Sequence, residues 1–231
     1  MKINVLYEDN HVLVVEKPVN VPVQEDESKD EDLLTILKQY LKDKYQKPGN
    51  VYLGLVHRLD RPVGGVMVFA KTSKAASRLS DQLRRRTITR KYLAITDGRV
   101  ASDSGKLVDY LYKDRDKNQS YVVDSSHRDA KKAILTYQVL AKENGLSLVE
   151  VELETGRPHQ IRVQLANAGI PIVGDQKYHP NPVVGQQIAL WAYGLGLHHP
   201  TLKEKMAFKS LPDVADYPWN AFSDVLTELG E

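Results

Sequence analysis

Between Leu53 and Thr72 the chain reads L-G-L-V-H-R-L-D-R-P-V-G-G-V-M-V-F-A-K-T, two apolar runs with a charged elbow between them. The elbow holds His57, Arg58, Asp60 and Arg61, followed by Pro62 and the pair Gly64-Gly65. Runs 53–56 and 66–70 predict buried strands. If the first strand continues to residue 60, alternation sends Arg58 and Asp60 to one face and His57 and Leu59 to the other. A carboxylate kept ionised by a neighbouring guanidinium is a nucleophile that needs no activating base. The plainer alternative is an ion pair capping a strand. The glycines that follow permit a second backbone, or a ligand, to come close.

Two other stretches carry candidate chemistry. In T-I-T-R-K-Y-L-A-I, residues 87–95, β-branched and aromatic residues predict a strand with Arg90 and Tyr92 on one face and Lys91 and Leu93 on the other. Arg84, Arg85, Arg86, Arg90 and Lys91 thus cluster around one helix-to-strand junction, a pattern suited to phosphate contacts. Three arginines closing a helix also complement its dipole, which is the structural alternative. Further on, L-E-T-G-R-P-H-Q-I-R-V-Q-L-A-N-A-G-I-P-I-V-G-D at 153–175 predicts a helix with Pro158 in its first turn. Its apolar stripe is Ile161, Leu165 and Ala168, and Gly169 with Pro171 stops it. His159 and Arg162 then share a positive helix end, which could hold an anion or pair with a structural acid.

These three stretches together resemble the motifs of the RluA-type pseudouridine synthases. H-R-L-D-R followed by a turn and an apolar strand ending in A-K-T is similar to that family's central motif. R-K-Y-L-A-I is similar to its second motif, K-x-Y-L-A, and T-G-R-P-H-Q-I-R-V-Q to its third. The resemblance implies that Asp60 is the essential catalytic residue, that Arg58 helps displace the target base, and that Tyr92 stacks on the uracil and takes part in proton transfer. It further implies that Arg162 pairs with Asp60 and that Leu153 packs against the base; His57, and the clustered Arg90, Lys91, Arg84, Arg85 and Arg86 from their placement, are expected to join in binding RNA. Val63-Gly64 stands where many members carry Thr-Ser, and Arg90 where a lysine is usual. The segment V-L-Y-E-D-N-H-V-L-V-V-E-K-P resembles the family's opening motif, whose Lys-Pro lies near the active cleft; a solvent-facing Lys17 is the alternative.

The expected architecture is one α+β catalytic domain spanning 1–231, with a mixed, mainly antiparallel sheet flanked by helices and no separate N-terminal RNA-binding domain. Strands are expected at 3–7 and 11–16 around Asp9-Asn10, a helix at 33–45, and paired strands at 133–140 and 146–153 around Asn144-Gly145. Residues 113–130 read as a hairpin end or surface loop. Two strands should flank His199-Pro200, and a short helix should close the chain at 219–229. Glu25 to Asp32, with six acidic residues, reads as a solvated, mobile loop.

With 231 residues and 42% hydrophobic content, the chain can build a sizeable core. It has no cysteine and a net charge of only +2, so disulfides, thiolate nucleophiles and cysteine-ligated metals are excluded. No signal peptide is expected, and the sequence holds no apolar run of membrane-spanning length. The expectation is a cytoplasmic, monomeric isomerase acting on structured ribosomal or transfer RNA, with no metal and no cofactor. Two competing readings are an RNA N-glycosidase or nuclease, which would want a second carboxylate with Glu154 or Asp175 nearest to hand, and a non-catalytic RNA-binding module.

Overall fold

The computed structural model describes residues 3–98, 100 and 102–230. They fall into two compact units, Met1–Thr89 with Ala192–Ser210, and Arg90–Trp191 with Leu211–Glu231. Each combines antiparallel strands with helices, so the fold is α+β. Among the described residues no helix is long and apolar enough to cross a membrane.

In the first unit β1 (Asn4–Glu8), β2 (Val12–Lys17) and β4 (Gly64–Ala70) run antiparallel in that order. β10 (Leu190–His198) follows beside β4 and carries β11 (Lys205–Lys209) on its outer side. The β2 stretch V-L-V-V is fully buried on both faces, which is why it reads as a continuous apolar run rather than an alternating one. Val12 and Val14 join Val66, Val68, Ala75 and Leu79 in one core cluster under α2 (Ser73–Arg84). On α1 (Leu33–Lys44) the stripe Leu33, Leu37 and Leu41 is buried at helical spacing. Asp32 caps α1 and Thr72 caps α2 by accepting the backbone N–H three residues on, each cap contributing about 1 kcal/mol. Gly65 sits at φ +121°, and a Cβ there would stand 2.1 Å from the Ala192 carbonyl oxygen. Only glycine lets β4 and β10 approach this closely.

The second unit is built on the antiparallel order β5 (Thr89–Asp97), β9 (Leu146–Leu153), β8 (Lys131–Glu143), β6 (Ser104–Asp114) and β7 (Gln119–Val123). The β8–β9 hairpin turns at Asn144 and Gly145, both at positive φ (51° and 83°), as an Asn-Gly turn requires. The polar stretch 113–130 contains the β6–β7 turn and the whole of β7. A 3-10 turn at Trp219–Phe222 leads into α4 (Ser223–Gly230).

Two expectations about local structure are corrected. The strand that was to carry Arg58 and Asp60 ends early: β3 is only Gly54–Leu55, and the chain leaves the sheet as a loop before the charged elbow. A longer β3 would have paired with Val68, but the Val68 N–H is taken at 3.1 Å by His57 Nε2. A side chain thus replaces the next backbone acceptor. Likewise α3 is Gln160–Asn167, beginning after Pro158 rather than at it, because His159 adopts the left-handed conformation at φ 55°. Ala168 is exposed and belongs to no apolar stripe, whereas Gln160, Arg162 and Gln164 are buried.

Candidate active site

In the first unit, Asp60 is half-buried on the loop between β3 and β4, and the Val63 N–H closes a turn on its carbonyl at 3.0 Å. Beneath this loop lies Lys17, which is completely buried, correcting the solvent-facing alternative. Its Nζ donates to the carbonyls of Pro18 at 2.8 Å, Arg61 at 2.9 Å and Val63 at 2.8 Å. Three convergent acceptors match the three N–H bonds of an ammonium, whereas a neutral amine has two. Burial pushes the Lys17 pKa down to about 7, against the nearby charge of Asp60, which raises it, and with that of Arg61, which lowers it further. The catalytic-loop backbone is therefore pinned by a lysine whose proton is partly sustained by Asp60.

The flanking elbow residues divide. Arg58 is exposed. Arg61 reaches back to the acidic loop, donating to the Asn20 carbonyl at 3.2 Å, to Ser28 Oγ at 2.9 Å and to Asp30. Asp26 stands 3.8 Å away. Residues 25–32, expected as a mobile acidic loop, are thus tethered to the central motif by its second arginine.

In the second unit, Tyr92 is buried on β5 opposite Val151, and Leu153 is buried at the end of β9 opposite Leu135. Arg162 is 5% exposed and Asp175 1%. They form a two-pronged pair, Nε to Oδ2 at 2.8 Å and Nη2 to Oδ1 at 2.6 Å. Asp175 Oδ1 also accepts the N–H groups of Lys177 and Tyr178. The Tyr178 ring lies against the guanidinium, 5.2 Å from Cζ to centroid, and burial pushes its phenol pKa up. Tyr178 accepts the Ser120 N–H at 2.7 Å and shares a hydrogen bond of 2.6 Å with His159 Nδ1. Arg162 is held in one orientation on an edge and a face.

Sequence reasoning missed Asp175 as a partner of Arg162, and missed why the third motif has its letters. Thr155 Oγ1 accepts the Ile134 N–H at 2.8 Å and donates to Gln160 Oε1 at 2.8 Å. Gln160 Nε2 in turn reaches the Ile134 carbonyl at 3.1 Å. A Cβ on Gly156 would lie 2.5 Å from Arg90 Nη1, so the glycine makes room for a guanidinium. We expect Asp175→Asn to lower stability by about 3–5 kcal/mol, the scale of breaking a buried ion pair. A double-mutant cycle with Arg162→Met, followed by urea unfolding, checks this; additive losses would mean that the pair is not coupled.

The cations expected to meet phosphate are differently engaged. Arg84 and Arg85 are exposed and pair with Asp81, while Arg86 is exposed at φ 59°. Lys91 Nζ lies 2.9 Å from Glu150. Arg90 is partly buried, and its Nε has no partner among the described residues. Of the two carboxylates a hydrolase could have recruited, Asp175 has both oxygens on Arg162 and Glu154 lies 2.5 Å from Lys106. His199 is buried, with Nε2 on Asp9 at 2.7 Å and Nδ1 accepting the Thr201 and Leu202 N–H groups, so His199 closes a turn.

Comparisons with known proteins place these features. A family model described as RNA pseudouridylate synthase matches residues 11–167, which include all three motifs. An uncharacterized RNA pseudouridine synthase of Bacillus subtilis is 36% identical over 218 residues, covering 92% of this chain and 70% of that protein. The ribosomal large subunit pseudouridine synthase D of Pseudomonas aeruginosa is 34% identical over 235 residues, covering 95% and 71%. Among solved structures, human RNA pseudouridylate synthase domain containing 4 superposes with a TM-score of 0.78 at 26% identity, over 97% of this chain and 93% of that one. With the family match spanning the loop of Asp60, the strand of Tyr92 and the helix of Arg162, the chain belongs to the RNA pseudouridylate synthase family.

Proposed function

We propose that the protein isomerises specific uridines of structured RNA, ribosomal RNA first among them, to pseudouridine, acting in the cytoplasm as a monomer without metal or cofactor. The observation that carries this reading is the Asp60 loop, whose backbone is locked from beneath by the buried Lys17. A carboxylate so fixed suits attack on, or proton removal from, a single sugar. In this reading the bond from ribose C1′ to uracil N1 breaks, the base turns in place, and C5 is joined to C1′. The proton lost from C5 is balanced by one gained at N1, so nothing is oxidised or hydrolysed. Asp60 acts at the sugar, Arg162 supplies the cation of the active centre, Tyr92 and Leu153 hold the base, and Arg58 fills the stack the base has left. Flipping the base costs a few kcal/mol of stacking, which contacts to phosphate offset. The relatives named for the large ribosomal subunit support ribosomal RNA as the substrate class.

The test uses unmodified large-subunit ribosomal RNA transcribed with uridine tritiated at carbon 5. Isomerisation releases tritium to water and leaves the chain intact, whereas a glycosidase would release tritiated uracil and leave an abasic site. Free uracil, or no reaction on ribosomal RNA and turnover on transfer RNA, would overturn the activity or the substrate class respectively.

A further inference from the structure

A groove of about 970 Å³ runs between α2 and the turn after β10 in the first unit. One wall carries Ser77, Arg78, Ser80, Asp81, Arg84 and Arg85, the other His198 to Pro200 and Lys203. The second wall is preformed. Arg78 donates to the Pro200 carbonyl at 2.8 Å, and Gln82 both donates to the His198 carbonyl at 2.7 Å and accepts its N–H at 2.9 Å. His199 ties the same turn to Asp9 at 2.7 Å. Lys203 is held at φ 63°, its N–H on the His199 carbonyl at 2.9 Å.

Four cations against one carboxylate line this groove, an excess of three positive charges where the entire chain has only +2. The remaining polar groups are hydroxyls, an amide and imidazoles; no phenyl, indole or long aliphatic side chain lines it. An apolar ligand or a stacked base would find no partner there. A run of phosphates and ribose hydroxyls would, since arginine forks and hydroxyls are the groups that bind them without reading sequence.

We propose that this groove binds the ribose–phosphate backbone of RNA, at a place that includes neither Asp60 nor Arg58. The proposal rests on RNA being the substrate and deepens it by naming a docking surface with two walls, of which Arg78 and Lys203 lie outside every sequence motif. Because such binding is indifferent to sequence, its test does not depend on catalysis.

The probe is a fluorescent RNA hairpin of G·C pairs containing no uridine, titrated at several salt concentrations. Arg85→Gln and Lys203→Gln, one from each wall, are each expected to make the dependence of log K on log salt shallower by about 0.7 to 0.9, and the double variant by nearly twice that. Thermal melts that coincide with the unaltered protein show that the fold is intact. Since the chain has no cysteine, Ser80→Cys creates a unique attachment point for an iron chelate on the exposed surface of α2. Radical cleavage of the bound hairpin is expected from that position. Failure to bind the hairpin, an unchanged salt slope in the double variant, or binding without cleavage would each overturn the proposal, the last leaving the groove to a different partner such as an acidic protein.

Discussion

Asp60→Asn is expected to abolish pseudouridine formation, by at least about four orders of magnitude, while leaving the affinity for RNA nearly unchanged. The substitution preserves shape and the turn closed by the Val63 N–H, which uses the Asp60 backbone and not its side chain. What it removes is the charge that acts on the sugar, and losing a covalent catalyst costs on this scale. The variant also has a thermodynamic signature. The charge of Asp60 raises the pKa of Lys17 against the effect of burial, so Lys17 should lose its proton at lower pH once Asp60 is neutral. Tritium release and hairpin binding, measured side by side, decide the matter: a variant that turns over at a tenth of the normal rate would leave Asp60 a structural group.

The second large effect belongs to Lys17→Met. It leaves the carbonyls of Pro18, Arg61 and Val63 without their shared donor and frees the loop that carries Asp60. A displacement of about 1 Å at a reacting group costs on the order of a hundredfold, so kcat should fall by at least that much with little change in KM. Lys17→Arg should not rescue it, because a planar guanidinium cannot aim three N–H bonds at acceptors that converge on one point.

The pH dependence of stability has a definite sign. Lys17 titrates at about 7 in the folded chain and at its ordinary 10.5 when unfolded. Between those values the unfolded chain binds a proton that the folded chain lacks, so the unaltered protein gains stability relative to the Lys17→Met variant as pH rises, by up to about 1.4 kcal/mol per unit. Below pH 7 both states carry the proton and the difference levels off. Urea unfolding at pH 6, 7, 8 and 9 measures this, and parallel curves for the two proteins would refute the assignment.

How far the sequence reveals the site depends on the range of each interaction. The apolar run at 66–70, the Asn-Gly hairpin and the helix at 33–45 are local patterns, and each became the expected element, whereas the run at 53–56 yielded only the two-residue β3. Arg162 was picked out by its helix and by the motif, yet its bond to Asp175 crosses 13 residues and a turn that no periodicity predicts. Lys17 was harder still. Its burial is decided by carbonyls 44 and 46 positions away, and a lysine before a proline ordinarily faces water. The strand expected to reach Asp60 was cut short by an imidazole acting as a backbone acceptor, an event invisible to side-chain alternation. The groove beside α2 was half legible: its arginines stand together in sequence, but the facing turn lies 116 residues from Gln82.

The division of the first unit between Met1–Thr89 and Ala192–Ser210 bears on how the chain is made. A ribosome adding about 5–20 residues per second needs roughly 5 to 20 seconds to pass from β5 to the end of β10. Throughout that interval β4 lacks the neighbour that Gly65 is shaped to receive, and the part of its outer edge that β3 and His57 leave uncovered offers N–H and C=O groups to any passing strand. The nascent protein therefore carries a partly open sheet edge for nearly half of its synthesis, and once β10 closes it only the β10–β11 pairing remains to be made in the first unit.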